Sequence, residues 1–364
     1  MRIVQLIDSL NAGGAERIAV NYANGLAHKV EFSGIVATRK EGELKAAVHP
    51  EVGYLFLNRK KTLDIRAVLT LKKWILCNKI DIIHAHGPSF FMAILVKCLH
   101  PGIRIVWHEH YGARAGQTRS ANMILYFCSL FFSAVFVVNR QLESWMNRNL
   151  LSRNVSCVPN FISATPAIRQ VTILNGVPGK RILLVANLKQ PKNHIAALRA
   201  FESLKLCDEG WSLHFIGENY GDAYFGEIAR FIEEHQLASS VWLHGSRPDI
   251  PFILSQGTIG LLTSTAEGFP LVILEYGQAA LPVISTNAGF CAEIIDDGVS
   301  GLLFDPNDQK TLEDALKRMV VDCGLQRDCG HALHEKVKSN YSEEQVIGLL
   351  LSKYHKLKYG SQKF

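Results

Sequence analysis

Short β-rich runs alternate with helix-length amphipathic segments along these 364 residues, and the alternation occurs twice. The first series is "RIVQLID" (2–8), "FSGIVAT" (32–38), "DIIHAH" (81–86), "IRIVW" (103–107), "AVFVV" (134–138) and "VSCVP" (155–159). The second is "RILLVA" (181–186), "WSLHFIG" (211–217), "VWLHG" (241–245), "IGLLTS" (259–264), "PVIST" (282–286) and "GLLF" (301–304). A helix between two strands carries the chain back to the starting edge of the sheet, so such strands pair in parallel. The stretch 160–180, with two prolines, two glycines and no sustained period, separates the series and reads as a linker. The expected organisation is an α/β domain over 1–163, a linker over 164–178, a second α/β domain over 179–340, and a terminal helical segment over 341–364. Ligands of parallel sheets bind outside the carboxyl ends of the strands, which makes a cleft between the two domains the expected active site.

The opening "MRIVQLIDSL" has one basic residue and no cleavage pattern, so it reads as a first strand and not as a signal peptide. The uncharged stretch 121–138 is at the lower limit for a membrane span and is interrupted by serines; a helix followed by a buried strand fits it better. Eight scattered cysteines without a C-x-x-C pair fit reduced thiols in a cytoplasmic protein. Residues 1–165 hold 20 lysines and arginines against 10 acids, whereas the remainder hold 19 against 23. A basic half favours an anionic partner. No zinc finger, RNP-type strand or basic zipper is present, so nucleic acid is not expected and an anionic membrane surface is. The stretch 59–79, helical from Leu63, would interleave Leu69, Trp74 and Ile75 with Arg66, Lys72 and Lys73 on that surface. The terminal segment 342–357 reads as an amphipathic helix whose basic end adds to the same charge.

Chemistry-bearing residues follow the first strand of each series. "LNAGGAER" (10–17) places Gly13 and Gly14 where backbone N–H groups and a helix start can meet a phosphate. It contains neither G-x-G-x-x-G nor a P-loop, which argues against a nicotinamide enzyme and an ATPase. In "VANLKQPKNH" (185–194), Lys192 falls in a loop where it can bind a diphosphate, with Asn193 as a helix cap. "EGFPLVILE" (267–275) sets Pro270 in the first turn of a helix over about 270–280, with Glu267 before it and Glu275 inside it. An anion site at the helix start and two carboxylates that accept from paired hydroxyls suit a nucleotide sugar.

"STAEGFPLVILE" (264–275), followed by "LPVISTNAGFCAEIIDDGVSGLLF" (281–304), resembles the family 4 retaining glycosyltransferases of the GT-B fold, also described as glycosyl transferases group 1. "GGAER" (13–17), "HAHG" (84–87), "VPN" (158–160) and "PKN" (191–193) extend the likeness over most of the chain. The resemblance implies two Rossmann-like domains facing each other across a cleft, with the terminal helix crossing back to the first. It also implies transfer of a hexose or N-acetylhexosamine from a nucleotide diphosphate sugar to a growing cell-surface glycan or a lipid-linked oligosaccharide, with retention.

On that likeness Glu275 would hold the ribose, Glu267 a donor-sugar hydroxyl, and Lys192 the diphosphate, helped by the backbone of Gly268, Phe269, Pro270 and Leu271. Gly13 and Gly14 would cradle phosphate or acceptor. The family histidine corresponds best to His110 in "WHEH" (107–110), which would contact the sugar's 6-hydroxyl, with His108 and Glu109 as neighbouring candidates. Asn187 stands where many relatives carry arginine, and Lys189 is the candidate to replace it. Ala280, Asn139 and the missing aspartate in "SQGTIG" (255–260) also depart from the family pattern.

No D-x-D occurs, and Lys192 with a helix dipole can stabilise the departing phosphate, so neither a metal nor a cofactor is expected. Retention is expected to proceed on one face of the sugar, because Glu267 is implied to sit at another hydroxyl and not at the anomeric carbon. A sugar-nucleotide epimerase of the same fold and a non-catalytic sugar-nucleotide-binding protein remain as alternatives.

Overall fold

The computed structural model describes residues 1–11, 13–162 and 171–360. The part of the expected linker over 164–170 and the last four residues of the terminal segment lie outside them. The chain divides into two compact units, Met1–Ser163 with Glu343–Phe364, and Ala164–Ser342.

The first unit holds seven strands: β1 (Arg2–Ser9), β2 (Phe32–Lys40), β3 (Gly53–Phe56), β4 (Ile82–His86), β5 (Arg104–Glu109), β6 (Ala134–Val137) and β7 (Val155–Cys157). They pair in the order β3-β2-β1-β4-β5-β6-β7, every pair parallel. The second holds β8 (Arg181–Val185), β9 (Ser212–Ile216), β10 (Val241–Leu243), β11 (Ile259–Leu262), β12 (Val283–Thr286) and β13 (Leu302–Phe304), in the order β10-β9-β8-β11-β12-β13, again all parallel. β4, β6, β9, β11 and β12 are buried on both faces, which is why they read as continuous runs instead of alternating ones. Each sheet reverses its order beside its first strand, between β1 and β4 and between β8 and β11, and ligands of open α/β sheets enter at such switch points.

Several segments differ from their sequence reading. β3 was not expected: its four residues lie half-buried at the sheet edge, too short to show a period. The apolar stretch 121–138, by contrast, follows its reading of a helix and then a buried strand: a short helix, Met123–Cys128, then a turn, then β6; among the described residues no helix is long and apolar enough to cross a membrane. The helix Ile65–Cys77 buries Ala67, Val68, Leu71 and Ile75, and Trp74 packs edge-on against Phe32. Ile75 and Trp74 therefore face the fold, and the membrane face expected of them is corrected. Only Leu69 of that trio stands out.

The last helix, Glu343–Tyr359, belongs to the first unit. Its Lys358 pairs with Asp81 at 2.7 Å, and the Lys353 ammonium lies over the Phe136 ring. Part of its basic end is thus spent on packing. Residues 171–176 are fastened to the second unit: the Asp249 carboxylate accepts from the N–H groups of Val171 and Thr172, and the Arg181 guanidinium donates to the carbonyls of Leu174, Asn175 and Gly176.

Candidate functional site

In the second unit the loops after β8 and β11, neighbours at the switch point, are tied together. Thr265 N–H donates to the Pro191 carbonyl at 2.9 Å and the Thr263 hydroxyl to the Lys192 carbonyl at 3.0 Å. This brings the Lys192 ammonium to 2.6 Å from Glu267 Oε1. The Glu267 side chain is 8% exposed, so the charge it holds is largely out of water and needs this partner. Phe269 stacks on Phe290, which anchors the loop and leaves its backbone to lead into the helix Leu271–Gln278. Pro270 is the cap residue just before that helix, one position earlier than the first-turn place read from sequence. Glu275, half-buried, lies within the helix.

The loop after β8 has its own fixings. Asn187 Oδ1 accepts from Glu218 N–H at 3.0 Å and its Nδ2 donates to the Tyr220 hydroxyl, while the Lys189 ammonium sits 5.5 Å from the Tyr220 ring centre. Both candidates for the phosphate contact therefore hold the Tyr220 turn. Asn193 does not cap with its side chain: it adopts φ +53° and turns the chain into the helix His194–Ser203.

Sequence reading missed Gly289. Its φ is +63°, and a Cβ there would lie 1.9 Å from the Glu267 carbonyl oxygen, so the loop after β12 presses directly on the backbone that carries Glu267.

In the first unit, Gly14 opens the helix Gly14–Leu26 directly after β1, with Gly13 as its cap residue. The carboxylate of Glu16 lies against Gly13 and accepts from the Ser9 hydroxyl at 3.3 Å, so this helix start is already faced by an acid of its own first turn. The pair Gly13 and Gly14 is thus brought to the switch point, but with a carboxylate beside it.

At the carboxyl end of β5 the structure separates the neighbouring candidates. His108 is fully buried; Glu109 accepts from Tyr111 N–H at 2.9 Å and pairs with Arg114, fixing the following turn; His110, just past the strand, is the histidine that keeps some exposure. Two further histidines join them. Period-two alternation puts His84 and His86 on one face of β4, and His108 on β5 with His110 just past its end keeps the same alternation. His84 Nε2 lies 3.2 Å from His108 Nδ1, and His86 Nδ1 lies 2.9 Å from His110 Nε2. Rings of each bonded pair are within 12° of parallel, and the two pairs stack on each other with ring centres 4.6 and 4.2 Å apart. The signal was available as His-x-His on two consecutive strands, "HAH" and "HEH".

The block is closed by Gln5 of β1, whose Oε1 is 2.9 Å from His86 Nε2, and by Tyr354 of the last helix, whose hydroxyl is 2.5 Å from His84 Nδ1. Burial pushes all four histidines toward the neutral form, His110 down to about 3. His84, His86 and His108 bring ligand atoms within 4.8 Å of one another, close enough for a metal. Their rings are stacked, however, and their nitrogens are already directed elsewhere, His84 and His108 at one another and His86 at His110 and Gln5, so the three do not converge on one ion without ring rotation. Two surface depressions, about 470 and about 280 Å³, are lined by other residues.

Comparison with known proteins gives two matches that together span most of the chain: "Glycosyltransferase Family 4" over residues 12–166 and "Glycosyl transferases group 1" over residues 172–335. The chain belongs to the family 4, group 1 glycosyltransferases. Among solved structures, Anabaena Alr3699/HepE in complex with UDP and glucose matches with a TM-score of 0.81 at 14% identity, over 97% of this chain and 99% of that one, so the fold is GT-B. An exopolysaccharide phosphotransferase of Streptomyces coelicolor is 28% identical over 206 residues, which is 56% of this chain but 21% of that protein; the chain thus spans about a fifth of that relative's length. The UDP-Gal:α-D-GlcNAc-diphosphoundecaprenol α-1,3-galactosyltransferase of Escherichia coli is 23% identical over 279 residues, 71% of each chain.

Proposed function

We propose that the chain transfers a hexose or N-acetylhexosamine from a nucleotide diphosphate sugar to a glycan or lipid-linked acceptor of the cell envelope, with retention and without a metal. The observation that carries this reading is the Lys192–Glu267 pair, set beside the start of the helix Leu271–Gln278 at the β8/β11 switch point. Negative charge develops on the departing diphosphate; Lys192 and the N–H groups of Gly268, Phe269 and Leu271 meet it with groups already in place, and Glu275 takes the ribose hydroxyls. Glu267 then serves two partners, steadying Lys192 before the donor arrives and accepting from a sugar hydroxyl afterwards. The acceptor attacks from the face the phosphate leaves, and the leaving phosphate takes its proton. The Escherichia coli relative, named for a UDP-sugar donor and a diphosphoundecaprenol-linked acceptor, supports the donor and acceptor classes.

The same reading includes contact with an anionic membrane surface, where a lipid-linked acceptor resides. Met123, Ile124, Phe127, Leu130 and Phe131 are all substantially exposed, Ile124 at 73%. No acid occurs between Glu109 and Glu143, while Arg114, Arg119 and Arg140 do. Apolar insertion beside cations suits acidic lipid.

The test is nucleoside diphosphate release from a panel of nucleotide sugars, in chelator and with membrane extract, comparing the wild type with Glu275→Ala. Release from one donor, lost in the variant, supports the reading. Release that needs an added divalent ion removes the metal-free part, and no release from any donor favours a binding protein. Release of an epimerised nucleotide sugar without transfer points to an epimerase.

A further inference from the structure

We propose that His86 and Gln5 are positioning residues that hold His110 in a single tautomer, with Nδ1 a bare hydrogen-bond acceptor for a substrate hydroxyl. The substrate part rests on the donor reading above; the tautomer does not.

The argument follows one row of hydrogen bonds. Gln5 and His86 are both fully buried, with no water to satisfy them. An amide oxygen only accepts, so the 2.9 Å contact between Gln5 Oε1 and His86 Nε2 requires a proton on Nε2. A neutral imidazole carries one N–H, so His86 Nδ1 is a lone pair. That lone pair lies 2.9 Å from His110 Nε2, which must therefore donate. His110 is neutral too, and its remaining nitrogen, Nδ1, is left without a proton. The tautomer of one histidine ring is set by the bond its other nitrogen makes, and here that rule acts twice in series. The end of the row is the telling atom: His110 Nδ1 is buried and has no hydrogen-bond partner. A buried acceptor left without a donor is destabilising, and a hydroxyl donor brought by a ligand would relieve it.

The amide of Gln5 sets the direction of the row. Turned over, its nitrogen would donate to His86 Nε2, each proton would shift to the opposite side, and His110 would present an N–H to the ligand. Gln5 Nε2 makes no hydrogen bond; burial raises the Tyr354 phenol well above its ordinary range, and the neighbouring Gln5 side chain offsets part of that rise. The last helix, through Tyr354, thus adjoins the residue from which the tautomer is set.

The experiment is a long-range proton–nitrogen correlation spectrum of the full chain labelled with ¹⁵N-histidine, the His110 signals being assigned by their loss in His110→Gln. The expected result is an unprotonated Nδ1 and a protonated Nε2 on His110, with the Nδ1 resonance shifting when the turned-over nucleotide sugar is added. Gln5→Met keeps the volume and removes the acceptor; it should mix the two tautomers and lower turnover about tenfold or more, with the donor KM moving less than about threefold. A protonated Nδ1 in the wild type overturns the proposal, as does a single unchanged tautomer in Gln5→Met. The wild-type spectrum decides the tautomer even where the variant does not fold. An Nδ1 that stays unshifted with a donor the enzyme does turn over overturns the substrate part, whereas a failure to turn over any donor counts against the donor reading and leaves the tautomer measured.

Discussion

Glu267 is held from two sides, and each hold can be tested by one substitution. On the backbone side, Gly289→Ala must place a methyl where the Glu267 carbonyl stands, at φ +63°. Left-handed backbone alone costs a non-glycine residue about 1–2 kcal/mol. Gly298, at φ +75° with nothing within 4 Å of its Cβ position, gives that cost by itself. In urea unfolding, Gly289→Ala should therefore lose at least about 1 kcal/mol more than Gly298→Ala; equal losses would show that the two loops do not press together. On the side-chain side, Lys192→Met strands a mostly buried carboxylate. With Lys192 itself partly exposed, the substitution should cost about 1–3 kcal/mol, and adding Glu267→Gln should recover much of that, because a buried charge is more harmful unpaired than removed. A double variant no more stable than Lys192→Met would mean that solvent, and not Lys192, satisfies Glu267.

Among the elements, the segment from Met123 to Phe131 has a composition that fits the interior and a position that does not. Its most exposed side chains are Ile124, Phe127 and Leu130, while Leu125 points inward. Sedimentation with acidic vesicles should bring down the wild type, and Ile124→Ser with Phe127→Ser should weaken binding at least about tenfold, since each large side chain withdrawn from water contributes about 1.5–3 kcal/mol. Binding unchanged in that variant, or indifferent to lipid charge and salt, would remove the membrane contact. The reading of 59–79 shows why this was hard to see in sequence. A helix interleaving cations with Leu69, Trp74 and Ile75 looks amphipathic in either setting, and only the sheet beneath decides that Ile75 and Trp74 pack inward. Strands were easier to recognise, because runs such as "DIIHAH" are buried on both faces and bounded by helices; β3, four half-buried residues at an edge, carried no such contrast.

Across the whole molecule, sequence order alone exposed the loops after β8 and β11, since motif and turn chemistry are local. The histidine block was not seen, because its pairs join residues 24 positions apart and depend on β4 and β5 being neighbours. That block has a global consequence. His84, His86 and His108 are pushed well below 6.5 by burial, His110 to about 3, and in the second unit His214 falls to about 3 and His194 to about 4, again by burial first. Each is neutral when folded and takes a proton when unfolded as pH falls below 6.5. The unfolded state then binds more protons, so stability is complete above that value and declines as pH drops toward the folded pKa, each such histidine contributing at most about 1.4 kcal/mol per pH unit. Urea midpoints measured from pH 7.5 to 5 should fall steadily, before the depressed carboxylates Asp81 and Asp249 begin to titrate at lower pH. A midpoint that stays level between pH 6.5 and 5 would mean that these imidazoles are reached by water and protons in the native state, and the fixed row from Gln5 through His86 to His110 would have to be abandoned with them.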